Sequence, residues 1–148
     1  SPDIRIWFYQ TNIELNESEI QSLSIELKEF MKTWAAHGSG LYGDFTFFNP
    51  FLLIVAVDDS KVPPSGCSID AFVRFLTGLG AKYNIDFFVR MKTVALVGGE
   101  WEQLEFGEVA LMKNDFKIVD TTVNNLHDFK LKGLVKAELS GLSPLFRN

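Results

Sequence analysis

A single thiol stands in the run Pro63-Pro64-Ser65-Gly66-Cys67-Ser68-Ile69-Asp70, between two hydroxyls and ahead of Ile69, Phe72, Val73, Leu76 and Leu79 at helical spacing. The first turn of a helix presents N–H groups with no intrahelical acceptor and a partial positive charge, which favours thiolates and other anions. Two chemistries follow. In one, Cys67 is a nucleophile in a thiol-dependent enzyme, with His37 or His127 brought near as base. In the other, Ser65, Gly66 and Ser68, with Asp70 on the same turn, hold a small anionic ligand, helped by Arg74 or Arg90. Against both stands a purely structural reading: Ser65 or Ser68 caps the helix, and Cys67 is a small buried apolar residue. Asp70 and Arg74 are also spaced as a helical ion pair, acid first.

Other constellations are thinner. Asp58, Asp59, Asp70 and Asp86 would offer oxygen ligands to a divalent cation only if distant turns converge, and no spacing demands it, so no metal is expected. One cysteine excludes an intramolecular disulfide and a multi-cysteine zinc site, and fits a reducing compartment. His37 precedes Gly38, where a cation suits a helix C-terminus. No motif calls for a cofactor.

The elements that must position these groups are legible from pattern. Ile4 to Gln10 is aromatic and β-branched on both faces, as in a strand covered on both sides. Leu15-Asn16-Glu17-Ser18-Glu19-Ile20 combines a cap at Asn16, a returning Glu19 and a Leu15–Ile20 staple. Ile20, Leu23, Leu27, Phe30, Met31 and Trp34 continue it as an amphipathic helix that should stop near Gly38. Asp44–Asn49 and Phe51–Asp58 read as a hairpin broken at Asn49-Pro50. A loop through Ser60-Lys61-Val62-Pro63-Pro64 leads into the second helix, beginning between Ser65 and Ser68 and weakened late by Gly78 and Gly80. Thr93–Val97 turns through Gly98-Gly99 towards Trp101–Phe106.

This order predicts an α+β fold with a ferredoxin-like βαββαβ core, an antiparallel sheet carrying both helices on one face. Residues 107–148 are expected as an appended C-terminal segment of the same single domain: a short helix around Glu108–Asn114, a polar turn at Asp120–Asn125 and a last helix over Leu126–Leu139. No repeat or linker divides the chain.

The 148 residues, 47% apolar and 22% charged, suit one folded domain, and the longest apolar run, Phe51–Val57, is far too short to cross a membrane. A net charge of −5 has the wrong sign for a general nucleic-acid binder, and the surplus of two cations after Leu126, which counts Arg147, reads as a solvated face. The 14 Phe residues lack the companion cations of a base-stacking sheet, so they are assigned to the core or a buried interface. Trp7, Tyr9 and Trp101 would then lie on an open sheet face, closed by a second copy in a homodimer. The start Ser1-Pro2-Asp3-Ile4-Arg5 shows no basic segment followed by an apolar one, so a cytoplasmic location is expected.

The stretches Gly66-Cys67-Ser68-Ile69-Asp70, Phe75-Leu76 and Asp86-Phe87-Phe88-Val89-Arg90-Met91 resemble a small family of similar length in Bacteroidetes bacteria. Arg5-Ile6-Trp7, Tyr9-Gln10 and Thr121-Thr122-Val123 are similar to it as well. Members often carry the label of ABC-transporter ATPase. That activity does not fit this chain, which has no GxxxxGK[ST] loop and only Leu139-Ser140-Gly141 of the transporter signature. The sequence therefore points to a binding or interaction domain rather than an enzyme, with thiol chemistry at Cys67 as the alternative.

Overall fold

Asn16 and Glu19 open the first helix by a reciprocal exchange. The Glu19 N–H donates to Asn16 Oδ1 at 2.8 Å, and the Asn16 N–H donates to Glu19 Oε1 at 3.0 Å. The computed structural model describes residues 4–36, 41–60 and 64–146. His37 with the expected helix stop at Gly38, the Lys61-Val62-Pro63 part of the loop, and Arg147 lie outside the described residues. The elements are β1 (Ile4–Gln10), α1 (Glu17–Ala36), β2 (Gly43–Asn49), β3 (Leu52–Asp58), α2 (Gly66–Tyr83), β4 (Lys92–Val97), β5 (Glu100–Glu105), α3 (Phe106–Leu111), β6 (Phe116–Val119), α4 (Leu126–Lys132) and β7 (Leu134–Val135). Two 3₁₀ turns, Ala137–Leu139 and Ser143–Phe146, follow.

The fold is α+β with antiparallel sheets, but the strands do not form one ferredoxin-like sheet. They divide into a three-stranded sheet ordered β1-β3-β2 and a four-stranded sheet ordered β5-β4-β6-β7. β1 runs antiparallel to β3 with Trp7 opposite Val55, and β4 joins β5 and β6 instead of β1. The reason lies in the β4–β5 hairpin. Gly98 and Gly99, at φ 57° and 81°, allow a tight reversal, so β4 takes its nearest neighbour as partner and offers its other edge to β6.

Successive side chains of β1 and β3 point to opposite faces, and both faces are covered. On one, Trp7, Tyr9, Leu53 and Val55 meet Leu23, Leu27 and Trp34 of α1 and Phe72, Leu76 and Leu79 of α2. Trp34 lies so close over Gly43 that a Cβ there would fall 2.8 Å from its ring. On the other, Phe8, Phe48 and Leu52 meet Val94, Trp101 and Val119 of the second sheet, while Ile6 and Ile54 meet Leu126 and Phe129 of α4. The far face of the second sheet is closed by Val109 of α3 and by Leu142 and Phe146. Trp7, Tyr9 and Trp101 are thus interior contacts, so the open face inferred for a second copy is filled from within the chain.

Residues 107–146 supply β6, β7 and α4 to these layers. The segment expected as a final helix over Leu126–Leu139 is helical only to Lys132. At Gly133 the Phe129 ring and carbonyl occupy the space a Cβ would need, and the chain turns into β7. Among the described residues no helix is long and apolar enough to cross a membrane.

Candidate functional site

At the start of α2, Ser65 is the N-cap: its Oγ accepts from the Ser68 N–H at 3.1 Å and lies 2.9 Å from Ser68 Oγ. Both hydroxyls are thereby engaged with one another. Cys67 is exposed, contrary to the reading that buried it, and nothing among the described residues hydrogen-bonds it. Asp70 and Arg74 are exposed and form no ion pair with each other. His127 is exposed on α4, which covers the face of the first sheet opposite α2, so the sheet separates it from Cys67. No group of three His, Cys, Asp or Glu among the described residues is arranged to hold a metal ion.

Arg90 stands elsewhere. The Trp34 indole N–H donates to the Ser68 carbonyl at 3.2 Å, which fixes the start of α2 beside the end of α1. Arg90 follows Val89, whose N–H donates to the Gln10 carbonyl at 3.1 Å at the last residue of β1. It borders a cleft of about 520 Å³ along the outer edge of β1, which no residue from Ser65 to Arg74 touches.

That cleft is built from three segments. The first is β1 itself. The second, residues 86–92, is lashed to the end of β1: the Asp86 N–H donates to Asn12 Oδ1 at 2.9 Å, and Gln10 Nε2 donates to the Lys92 carbonyl at 3.0 Å. Gln10 is only 8% exposed, and Gln103 Nε2 donates in turn to Gln10 Oε1 at 2.8 Å. The third segment, 121–124, is held by the buried Asp120. One of its carboxylate oxygens accepts from the Thr122 N–H at 3.0 Å and Oγ1 at 2.6 Å, the other from the Gly141 N–H at 2.9 Å. Thr122 fills the space where a Cβ on residue 141 would sit, which is why glycine stands there. The Ile6 N–H then donates to the Asn124 carbonyl at 3.0 Å.

The hydrogen-bonding phase of β1 follows from this. The Thr11 N–H donates to the Phe51 carbonyl at 2.8 Å, continuing a ladder in which odd-numbered residues pair with β3. Even-numbered residues turn their backbone groups to the outer edge. There the Ile6 N–H is taken by Asn124 and the Gln10 carbonyl by Val89. Between them the N–H and C=O of Phe8 face the cleft with no partner among the described residues.

Among the described residues three cations border the cleft, Arg5, Arg90 and Lys92, and no carboxylate does. The Arg5 guanidinium lies 5.1 Å from the Trp7 ring centre, and Lys92 Nζ is 3.7 Å from Glu105, whose side chain is exposed. In a chain of net charge −5 this is a local reversal of sign, and a concave wall focuses such a field on an incoming anion. Met91 and Leu145, 69% and 53% exposed, form apolar lips. Of the candidate site residues named from sequence, only Arg90 among the described ones belongs here. Arg5, Lys92 and Phe8 were not singled out as ligand groups, because they meet only through pairing of residues far apart in the chain. Comparison with protein-family models, with curated proteins and with solved structures finds no match.

Proposed function

We propose that this chain is a binding domain for a small carboxylate-bearing ligand held in the cleft beside β1. The observation that carries the reading is that Arg5, Arg90 and Lys92 border one concavity with no acid among its described walls. Guanidinium groups pair with carboxylates through two parallel N–H donors, and Thr121 and Asn124 add neutral polar side chains to the lining. The reading keeps the anionic ligand expected from sequence and moves it from the start of α2. That helix start is less suited, since its two hydroxyls satisfy each other and Arg74 points to solvent beyond them.

The test is thermal stabilisation by citrate at several concentrations, because a ligand bound only by the folded state raises Tm by mass action. The wild-type chain should be stabilised, with the effect reduced in Arg5→Ala and Arg90→Ala and retained in Arg74→Ala and Cys67→Ser. The reverse pattern would return the site to α2. A response lost only in Cys67→Ser would favour thiol chemistry.

A further inference from the structure

Resting on that reading of the cleft, we infer that the carboxylates it takes are carried by a short acidic peptide in extended conformation, which adds to the outer edge of β1 by pairing with the backbone of Phe8. Side-chain cations alone would suit any polyanion, but the edge of β1 adds a second requirement. The Phe8 N–H and C=O face the cleft side by side, the arrangement that one residue of an extended chain satisfies by returning its own C=O and N–H. Citrate has acceptors for the N–H but a single hydroxyl as donor, and lacks the N–H and C=O of one extended residue that would meet both Phe8 groups in the register of a strand.

The length of the segment follows from its ends. Asn124 and Val89 occupy the edge at Ile6 and Gln10, four residues apart, which is about 13 Å of strand at roughly 3.3 Å per residue. Two or three peptide residues fit that interval, and a longer chain must leave the edge over the Met91 or Leu145 lip. Charge fixes the kind of peptide: Arg5 borders one end of this interval, and Arg90 and Lys92 border the other. The opposite edge of the same sheet makes the contrast. β2 carries Asp44 and no cation, so an acidic strand arriving there would meet a like charge.

The experiment compares tri-glutamate with citrate as probes of the full chain, by calorimetric titration and by amide chemical shifts and hydrogen exchange at Phe8. Both probes should bind, tri-glutamate about tenfold more tightly, as expected of two added backbone hydrogen bonds. Exchange of the Phe8 amide should slow only with the peptide. Arg5→Ala and Arg90→Ala, both at exposed side chains, should weaken both probes. Equal binding of the two, with the Phe8 amide unmoved, overturns the peptide and leaves the cleft as a site for compact carboxylates. Binding of neither overturns both readings. Protection of the Phe8 amide that grows with protein concentration and needs no probe assigns the edge to a second copy of the chain, and the peptide fails.

Discussion

Gln10 and Gln103, 93 residues apart in the chain, meet side chain to side chain at 2.8 Å and tie the two sheets together beside the cleft. Gln10 Nε2 also serves the Lys92 carbonyl, and Gln103 Nε2 also reaches the Thr11 carbonyl at 2.7 Å. Replacing Gln10 by Leu leaves the Lys92 carbonyl without this donor and deprives Gln103 of one acceptor, at a cost of about 1–3 kcal/mol. Urea denaturation should show that loss, and Gln103→Leu should cost a similar amount. The double variant should lose less than the sum, since the two residues share one bond.

What was legible in the sequence was local. Asn16 with Glu19, Ser65 ahead of the Ile69 stripe and Gly98-Gly99 each signal a cap or turn within a few residues, and each is found. What was not legible depends on pairing across the chain. Nothing in Phe116-Lys117-Ile118-Val119 says that it lies beside β4, because four residues carry too little periodicity to be read as a strand, still less to choose a partner. The cleft was hidden for the same reason. Thr121-Thr122-Val123 was visible as a pattern, but its place opposite Arg90 depends on Asp120 reaching Gly141 and on Asn124 meeting Ile6.

Two glycines of α2 separate helix propensity from packing. A Cβ at Gly78 meets nothing within 4 Å, whereas one at Gly80 would stand 2.4 Å from the Ile85 carbonyl oxygen. Gly78→Ala should stabilise the protein by about 0.5–1 kcal/mol through the helix backbone alone. Gly80→Ala receives the same helical benefit and must displace the Ile85 backbone, so it should be net destabilising by roughly 1–3 kcal/mol. Chemical denaturation of the two variants gives the comparison, and equal effects would rule out the close approach.

Thr93 is 2% exposed, and its Oγ1 has no hydrogen-bond partner among the described residues. A buried hydroxyl without a partner is destabilising, and valine has nearly the same shape without the polar atom. Thr93→Val should raise stability by about 1 kcal/mol and leave citrate binding unchanged, since Thr93 does not border the cleft. A loss of stability would mean that the hydroxyl is satisfied in solution.

α1 and α2 are joined at the surface by Glu26, whose carboxylate accepts from the Tyr83 hydroxyl at 2.6 Å and from Lys82 Nζ at 3.1 Å to each oxygen. The Tyr83 hydrogen bond, then that of Lys82, holds the Glu26 carboxyl below its ordinary value of 4.5. The same contact with Glu26 raises Tyr83 above 10.0 and Lys82 above 10.5. Because Glu26 is lowered on folding, its contribution is present above pH 4.5 and fades as the pH falls through the folded value. Tyr83 and Lys82 are raised, so theirs is present below their ordinary values and fades as the pH climbs past 10. Glu26→Gln removes the charge and leaves one carbonyl oxygen as acceptor for Tyr83 and Lys82, the other oxygen being replaced by an NH2 donor. The Tm difference between wild type and this variant should therefore be greatest at neutral pH, shrink in acid and in strong base, and diminish with added salt, since these groups lie at the surface. A difference that stays constant from pH 3 to 8 would show that the charge of Glu26 adds nothing to the union of the two helices.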